Sequence, residues 1–170
     1  MGFILLLGGA RSGKSALSVS LALESKLPVT VIATATAGDE EMAGRIRRHR
    51  ETRPAGWKTV EEPTDLVGAI RASAAGDFLV VDCLTLWVTN LLGAGNDAAD
   101  FDRLADPVVR ELSQRRGVVV SNEVGMGIVP ANELARNFRD VLGFVNTRFA
   151  ERAERALLMV AGRAVELARM

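Results

Sequence analysis

The chain has 170 residues, 48% of them hydrophobic and 25% charged, with 21 basic and 21 acidic side chains. That length and apolar share fit one domain with a real core, and zero net charge excludes a molecule that gathers polyanions over its whole surface. The single cysteine, Cys83, rules out an internal disulfide and any multi-cysteine metal centre; no apolar run reaches membrane-spanning length, so membrane insertion is not expected. The N-terminus has no basic segment leading into a long apolar stretch and cleavage site, which makes the cytoplasm the expected compartment.

Apolar runs alternate with longer amphipathic ones, the pattern of an α/β fold with a mainly parallel sheet. Phe3–Leu7 reads as the first strand and Ala16–Lys26 as the first helix. Between them lies Gly8-Gly9-Ala10-Arg11-Ser12-Gly13-Lys14-Ser15, a phosphate-binding loop in its required strand–loop–helix setting. Its glycines let backbone N–H groups close on a polyphosphate at a helix N-terminus, Lys14 reaches the outer phosphates, and the Ser15 hydroxyl suits Mg²⁺. Val29–Ala33 is the second strand, running into Thr34-Ala35-Thr36. Glu40–Arg53 reads as a helix stopped near Pro54, Trp57–Val60 as a short strand, and Glu61-Glu62-Pro63 as a turn.

Thr64–Ala75 reads as a helix capped by Thr64, and Phe78–Val81 as a buried strand that delivers Asp82 at its end. Leu84–Leu92 is an apolar helix, Gly93–Asn96 a loop, and Ala98–Arg116 a long helix with an irregularity expected at Pro107. Val118–Ser121 is a strand, and the glycine-rich run from Asn122 to Pro130 is a loop. Ala131–Ala150 places Leu134, Phe138, Val141, Leu142, Val145 and Phe149 on one helical stripe. Leu157–Val160 and Ala164–Leu167 complete the sheet, the latter as an edge strand. No repeat or linker interrupts residues 1–170, which read as one nucleotide-binding catalytic domain. Ligands of such sheets sit beyond the C-terminal strand ends, where the loop, Thr34–Thr36, Asp82 and Glu123 should meet.

Several of these residues have more than one reading. Asp82 suits a carboxylate for Mg²⁺ or its water shell, and equally a cap for the next helix. His49 is the only histidine and lies among five arginines within Arg45–Arg53, where Arg45, His49 and Arg53 recur at four-residue intervals. The segment is a solvated charged helix, a nucleic-acid contact, or a triphosphate site whose histidine attacks phosphorus. Glu123 either acts on a hydroxyl or metal-bound water, or hydrogen-bonds its own loop. Cys83, Trp57 and Trp87 read as packing residues. The loop and Asp82 also fit a P-loop kinase of another small metabolite. No Asn-Lys-x-Asp guanine-reading motif supports a GTPase switch, and neutrality with no second basic run argues against a nucleic-acid partner.

Taken in order, the blocks resemble the bifunctional adenosylcobinamide kinase/adenosylcobinamide-phosphate guanylyltransferase family of cobalamin biosynthesis. They are Gly8–Ser15, Ile32-Ala33-Thr34, Arg45-Ile46 with His49 and Arg53-Pro54, Val88-Thr89-Asn90-Leu91-Leu92 and Asn122-Glu123-Val124-Gly125-Met126-Gly127-Ile128-Val129-Pro130, followed by Leu134-Ala135-Arg136 and Phe138-Arg139-Asp140. The resemblance implies a RecA-like P-loop fold, a homotrimer with sites near subunit boundaries, and two reactions. A nucleoside triphosphate phosphorylates adenosylcobinamide, and GMP from GTP then passes to adenosylcobinamide phosphate through a guanylylated histidine, matched here by His49. Under that resemblance the nucleophile reading of His49 takes precedence. The resemblance also implies GTP and ATP as substrates and Mg²⁺ as cofactor. The expected nucleotide contacts are Gly8, Gly9, Ala10, Arg11, Ser12, Gly13, Lys14, Ser15, Thr34, Ala35, Thr36, Arg50, Glu51, Thr52, Arg53, Glu61 and Asp82. Lys14 and His49 are the expected catalytic residues, Ser15 and Asp82 the expected metal ligands, and Glu123 a possible substrate or catalytic residue.

Overall fold

The computed structural model describes residues 2–38, 40–51 and 53–169, with Arg45 described in its backbone only. Seven strands form one sheet in the order β3-β2-β4-β5-β1-β6-β7. They are β1 (Phe3–Gly8), β2 (Val29–Ala33), β3 (Lys58–Glu61), β4 (Phe78–Asp82), β5 (Gly117–Val120), β6 (Arg155–Val160) and β7 (Arg163–Glu166). Every pairing is parallel except that of β6 with β7, which turns back as the edge strand. The helices are α1 (Lys14–Glu24), α2 (Glu40–Glu51), α3 (Leu66–Ala72), α4 (Leu84–Gly93), α5 (Asp100–Ser113) and α6 (Glu133–Arg152).

The central strands are apolar on both faces because both faces are covered. Phe3, Leu5 and Leu7 of β1, with Leu79, Val81 and Val119, join Leu66, Ile70, Trp87, Phe101, Leu112, Val145 and Phe149 of α3–α6 in the larger core. Leu6, Val31, Val80, Val118 and Val120 face the other way into a smaller core with Ala22, Leu17 and Leu21 of α1. Trp87 is fully buried, meets the Phe101 ring edge-on at 6.2 Å and donates its indole N–H to the Thr64 carbonyl at 2.8 Å.

Several expected boundaries shift for local reasons. The first helix starts at Lys14 rather than Ala16, so the ends of the phosphate loop and the helix overlap. Asp65, not Thr64, caps α3: its carboxylate accepts the Gly68 N–H, while Glu62 accepts the N–H groups of Thr64 and Asp65. The same helix stops at Ala72, where Arg115 donates to the carbonyls of Ile70, Ser73 and Ala74. Asp97 turns the chain before α5 by accepting the Ala99 N–H, so α5 begins at Asp100, and Pro107 lies inside it. Asn132 caps α6, which runs on to Arg152.

Register places the functional strand ends level. Val120 of β5 lies beside both Leu6 of β1 and Asp82 of β4. The loop after β5 therefore lies between the phosphate loop and Asp82. Gly8 turns out of β1 at φ 148°, and a Cβ there would lie 2.4 Å from the Met159 carbonyl oxygen of β6. Gly8→Ala is expected to lower unfolding free energy by about 1–3 kcal/mol and to weaken nucleotide binding, because strand β6 blocks the methyl. Denaturant unfolding and an equilibrium ATP titration check both.

Candidate active site

The site is built on the C-terminal ends of β1, β4 and β5, with α2 lying across it. Gly8, Arg11 and Gly13 take positive φ, at 148°, 56° and 102°, and wrap the loop around the start of α1. Lys14 is buried and its ammonium donates to the carbonyls of Gly8 and Gly9, both at 2.7 Å, and to the Ser12 hydroxyl at 3.3 Å. Burial pulls the Lys14 ammonium below its ordinary pKa, and the negative charge of Asp82 partly offsets this.

Asp82 ends β4 as a largely buried carboxylate. His49 Nδ1 lies 3.6 Å from Asp82 Oδ2 and Arg53 Nη2 lies 3.3 Å from the same oxygen. Burial alone would raise the Asp82 carboxyl, but His49 and Arg53 outweigh it and hold the group below the usual carboxylate range. Arg53 also donates to the Thr59 hydroxyl at 3.3 Å, and Arg50 pairs with Glu61 of β3. Four polar ties thus join the end of α2 and the segment just after it to β3 and β4.

A cavity of about 300 Å³ opens between these parts. Ala10, Arg11, Lys14 and Ser15 line it from the phosphate loop, and Ala35, Glu61, Asp82 and Asn122 from the strand ends. Met42, Ile46, His49 and Arg50 line it from α2, and so does Arg53, which the expected helix Glu40–Arg53 included but which follows the observed helix end at Glu51. A smaller recess shares Ser15, His49, Arg53 and Asp82 and adds Trp57. The expected residues therefore divide. Gly8, Gly9, Ser12 and Gly13 shape the loop but do not line the cavity, and the exposed Glu51 does not line it either. Thr52 lies outside the described residues, as does the Arg45 side chain.

Thr34 is fully buried, and its hydroxyl donates to the Cys83 carbonyl at 2.7 Å and accepts the Cys83 N–H at 2.9 Å. The Thr34 hydroxyl therefore ties β2 to β4 instead of lining the cavity. Thr36 is exposed and donates to Asn90 at 3.4 Å. Glu123 accepts the Gly125 N–H, the loop-holding one of its two readings. Cys83 packs against the smaller core as expected and also lines the cavity; burial, with Asp82 beside it, pushes its thiol pKa up.

Sequence reasoning passed over Met42, Ile46, Leu86 and Asn122. Met42, Ile46, His49 and Arg53 follow helical spacing, and that stripe faces the cavity. Asn90 donates to the Thr34 carbonyl at 2.8 Å and the Pro63 carbonyl at 3.0 Å, joining two strand-end loops. The donor set fits Mg²⁺: Ser15 and an ionised Asp82 supply oxygens on one cavity, and a small octahedral ion takes its remaining ligands from water and phosphate. Among the described residues no group of three His, Cys, Asp or Glu side chains forms a closed metal cage.

Fold and site together define a P-loop nucleotide-binding enzyme. The fold matches the flagellar accessory protein FlaH of Methanocaldococcus jannaschii, at TM-score 0.52 and 16% identity, over 98% of this chain and 77% of that one. It also matches the RadB recombinase at TM-score 0.52 and 14% identity, over 92% and 73%. The chain belongs to the cobinamide kinase/cobinamide phosphate guanyltransferase family, whose model matches residues 4–167. It is 50% identical over 161 residues to the bifunctional adenosylcobalamin biosynthesis protein CobP of Pseudomonas aeruginosa, covering 93% of this chain and 92% of that one. The bifunctional adenosylcobalamin biosynthesis protein CobU of Salmonella typhimurium is 43% identical over 179 residues, covering 96% and 98%. Among the described residues no helix is long and apolar enough to cross a membrane.

Asp82→Asn is expected to destabilise the protein at neutral pH. The folded pKa of Asp82 is depressed, so its contribution is present above the ordinary carboxylate pKa of about 3.9 and is lost as pH falls through the folded value. Unfolding curves of parent and variant should separate at pH 7 and converge as the medium is acidified.

Proposed function

We propose that the chain phosphorylates adenosylcobinamide with a nucleoside triphosphate and then transfers GMP from GTP to the resulting phosphate, releasing pyrophosphate. The observation that carries this reading is that His49 and the Lys14–Ser15 loop line one cavity, with Asp82 facing the imidazole. A kinase needs the loop and an acid; nucleotidyl transfer through a covalent intermediate also needs a nucleophile.

Asp82 beside Nδ1 favours the neutral tautomer with its proton there, which puts the lone pair on Nε2. In guanylyl transfer Nε2 attacks the α-phosphorus of GTP in line, the bond to the β-phosphate oxygen breaks, and pyrophosphate leaves. An oxygen of cobinamide phosphate then attacks the same phosphorus, and the P–N bond breaks. Lys14 and the loop amides hold the outer phosphates, and Arg50 and Arg53 are the cations on the α2 side of the cavity. Ser15 and Asp82 would hold Mg²⁺, which when bound would supply charge neutralisation on the phosphate oxygens. In the kinase reaction the γ-phosphorus is the electrophile, and His49 takes no part.

The family resemblance further supports a cytoplasmic homotrimer. Met126, Ile128, Val129 and Leu134 are exposed large apolar side chains after β5, a composition suited to burial between subunits. Sedimentation should give three times the chain mass.

Incubation with α-labelled GTP and Mg²⁺ should leave an acid-labile, base-stable GMP adduct that maps to His49. His49→Ala should abolish the adduct and guanylyl transfer and retain kinase turnover. Lys14→Ala should cut both reactions by about a hundredfold or more, as expected when a charge that stabilises the transition state is removed. Equal loss of both activities in folded His49→Ala would overturn the division of labour.

A further inference from the structure

Asn122 is the second residue after β5 and lines the cavity between the phosphate loop and Asp82. A residue just beyond a strand end ordinarily has a loose backbone, because the ladder no longer holds it. Here the backbone is held on both sides. The Thr85 hydroxyl at the start of α4 accepts the Asn122 N–H at 2.8 Å. The Asn146 amide of α6 donates to the Asn122 carbonyl at 3.0 Å, and its own oxygen accepts the Ser121 hydroxyl at 2.6 Å. Ser121, Asn146 and Thr85 are all buried, at 0%, 6% and 9% exposure. The next residue continues the linkage: the Glu123 N–H donates at 3.2 Å to the Gly8 carbonyl, the oxygen that also receives Lys14.

Buried hydroxyl and amide groups cost stability unless satisfied, and valine or leucine would fill both positions more simply. Their hydrogen bonds run to one short piece of backbone that borders the cavity. We propose that Thr85 and Asn146 are positioning residues, which grip the Asn122 backbone and so hold its side-chain amide against the phosphates of a bound nucleotide. The reading rests on the nucleotide site proposed above and does not depend on the identity of the acceptor.

The test compares Thr85→Val, which keeps shape and removes the hydroxyl, with Thr85→Ser, which keeps the hydroxyl. Asn146→Asp, which replaces the donor by an acceptor, gives a second route. The full-length protein is titrated with ATP and with GTP in Mg²⁺, kinase kcat and KM are measured below the unfolding range of every variant, and Tm is recorded. Thr85→Val and Asn146→Asp should each weaken nucleotide kcat/KM about tenfold, the scale of one lost buried hydrogen bond, and Thr85→Ser should restore most of it. The deciding readout is the Asn122→Ala background. If Thr85 acts through Asn122, Thr85→Val should change kcat/KM there by less than about twofold. The same tenfold loss with Asn122 already truncated would overturn the proposal, leaving a purely structural role. Parent-like kinetics in Thr85→Val and Asn146→Asp, with only Tm lowered, would also overturn it. Nucleotide titration separates this failure from that of the cobinamide reading, since ATP binding requires no acceptor.

Discussion

The site depends on one largely buried charge. Asp82 closes a strand whose preceding residues are wholly apolar, and a carboxylate there is stable only if cations compensate its lost hydration. The compensating groups come from α2 and the residues just after it, remote in sequence: the Arg53 guanidinium and the His49 imidazole, whose Nδ1 faces the carboxylate. None of the described side chains of α2 is fully buried, so the helix is located by its polar ties more than by a core of its own. The pairing that satisfies Asp82 also brings the single histidine to a cavity lined by the phosphate loop. Structural need and chemical placement are met by the same contact.

The remaining parts are arranged by strand order. Inserting β4 and β5 between β2 and β1 puts three functional strand ends side by side, and their register keeps them level. Buried polar residues then hold the loops that leave those ends. Thr34 ties β2 to β4, Asn90 joins the loops after β2 and β3, and the pair Thr85–Asn146 holds the segment after β5. Each hydroxyl or amide here satisfies backbone groups that have left the ladder, and that need keeps polar side chains inside an apolar sheet edge.

Much of this was legible along the chain. The phosphate loop is local, with glycines, lysine and serine adjacent in sequence and flanked by a strand and a helix, so its chemistry could be read without the fold. Asp82 was legible because an acid after four apolar residues marks a strand end. Thr34 was less so: a threonine beyond a strand looks available to a ligand, and only the approach of Cys83 from β4 shows its hydroxyl engaged. The arginines of α2 drew attention to a charged four-residue repeat, whereas the face on the cavity mixes Met42 and Ile46 with His49 and Arg53. Asn122 was quoted within a motif without a role, since its importance lies in which strands flank β5.

By itself, then, the sequence determined the alternation of strands and helices, the nucleotide loop, the acid at the end of β4 and the family. Those properties follow from side-chain periodicity and from motifs contiguous in the chain. Only the tertiary structure decided which cations face Asp82, which polar groups reach the cavity and which are consumed holding loops together. Each of those is a question of partners far apart in sequence, settled by strand order and register, for which no local pattern carries the information.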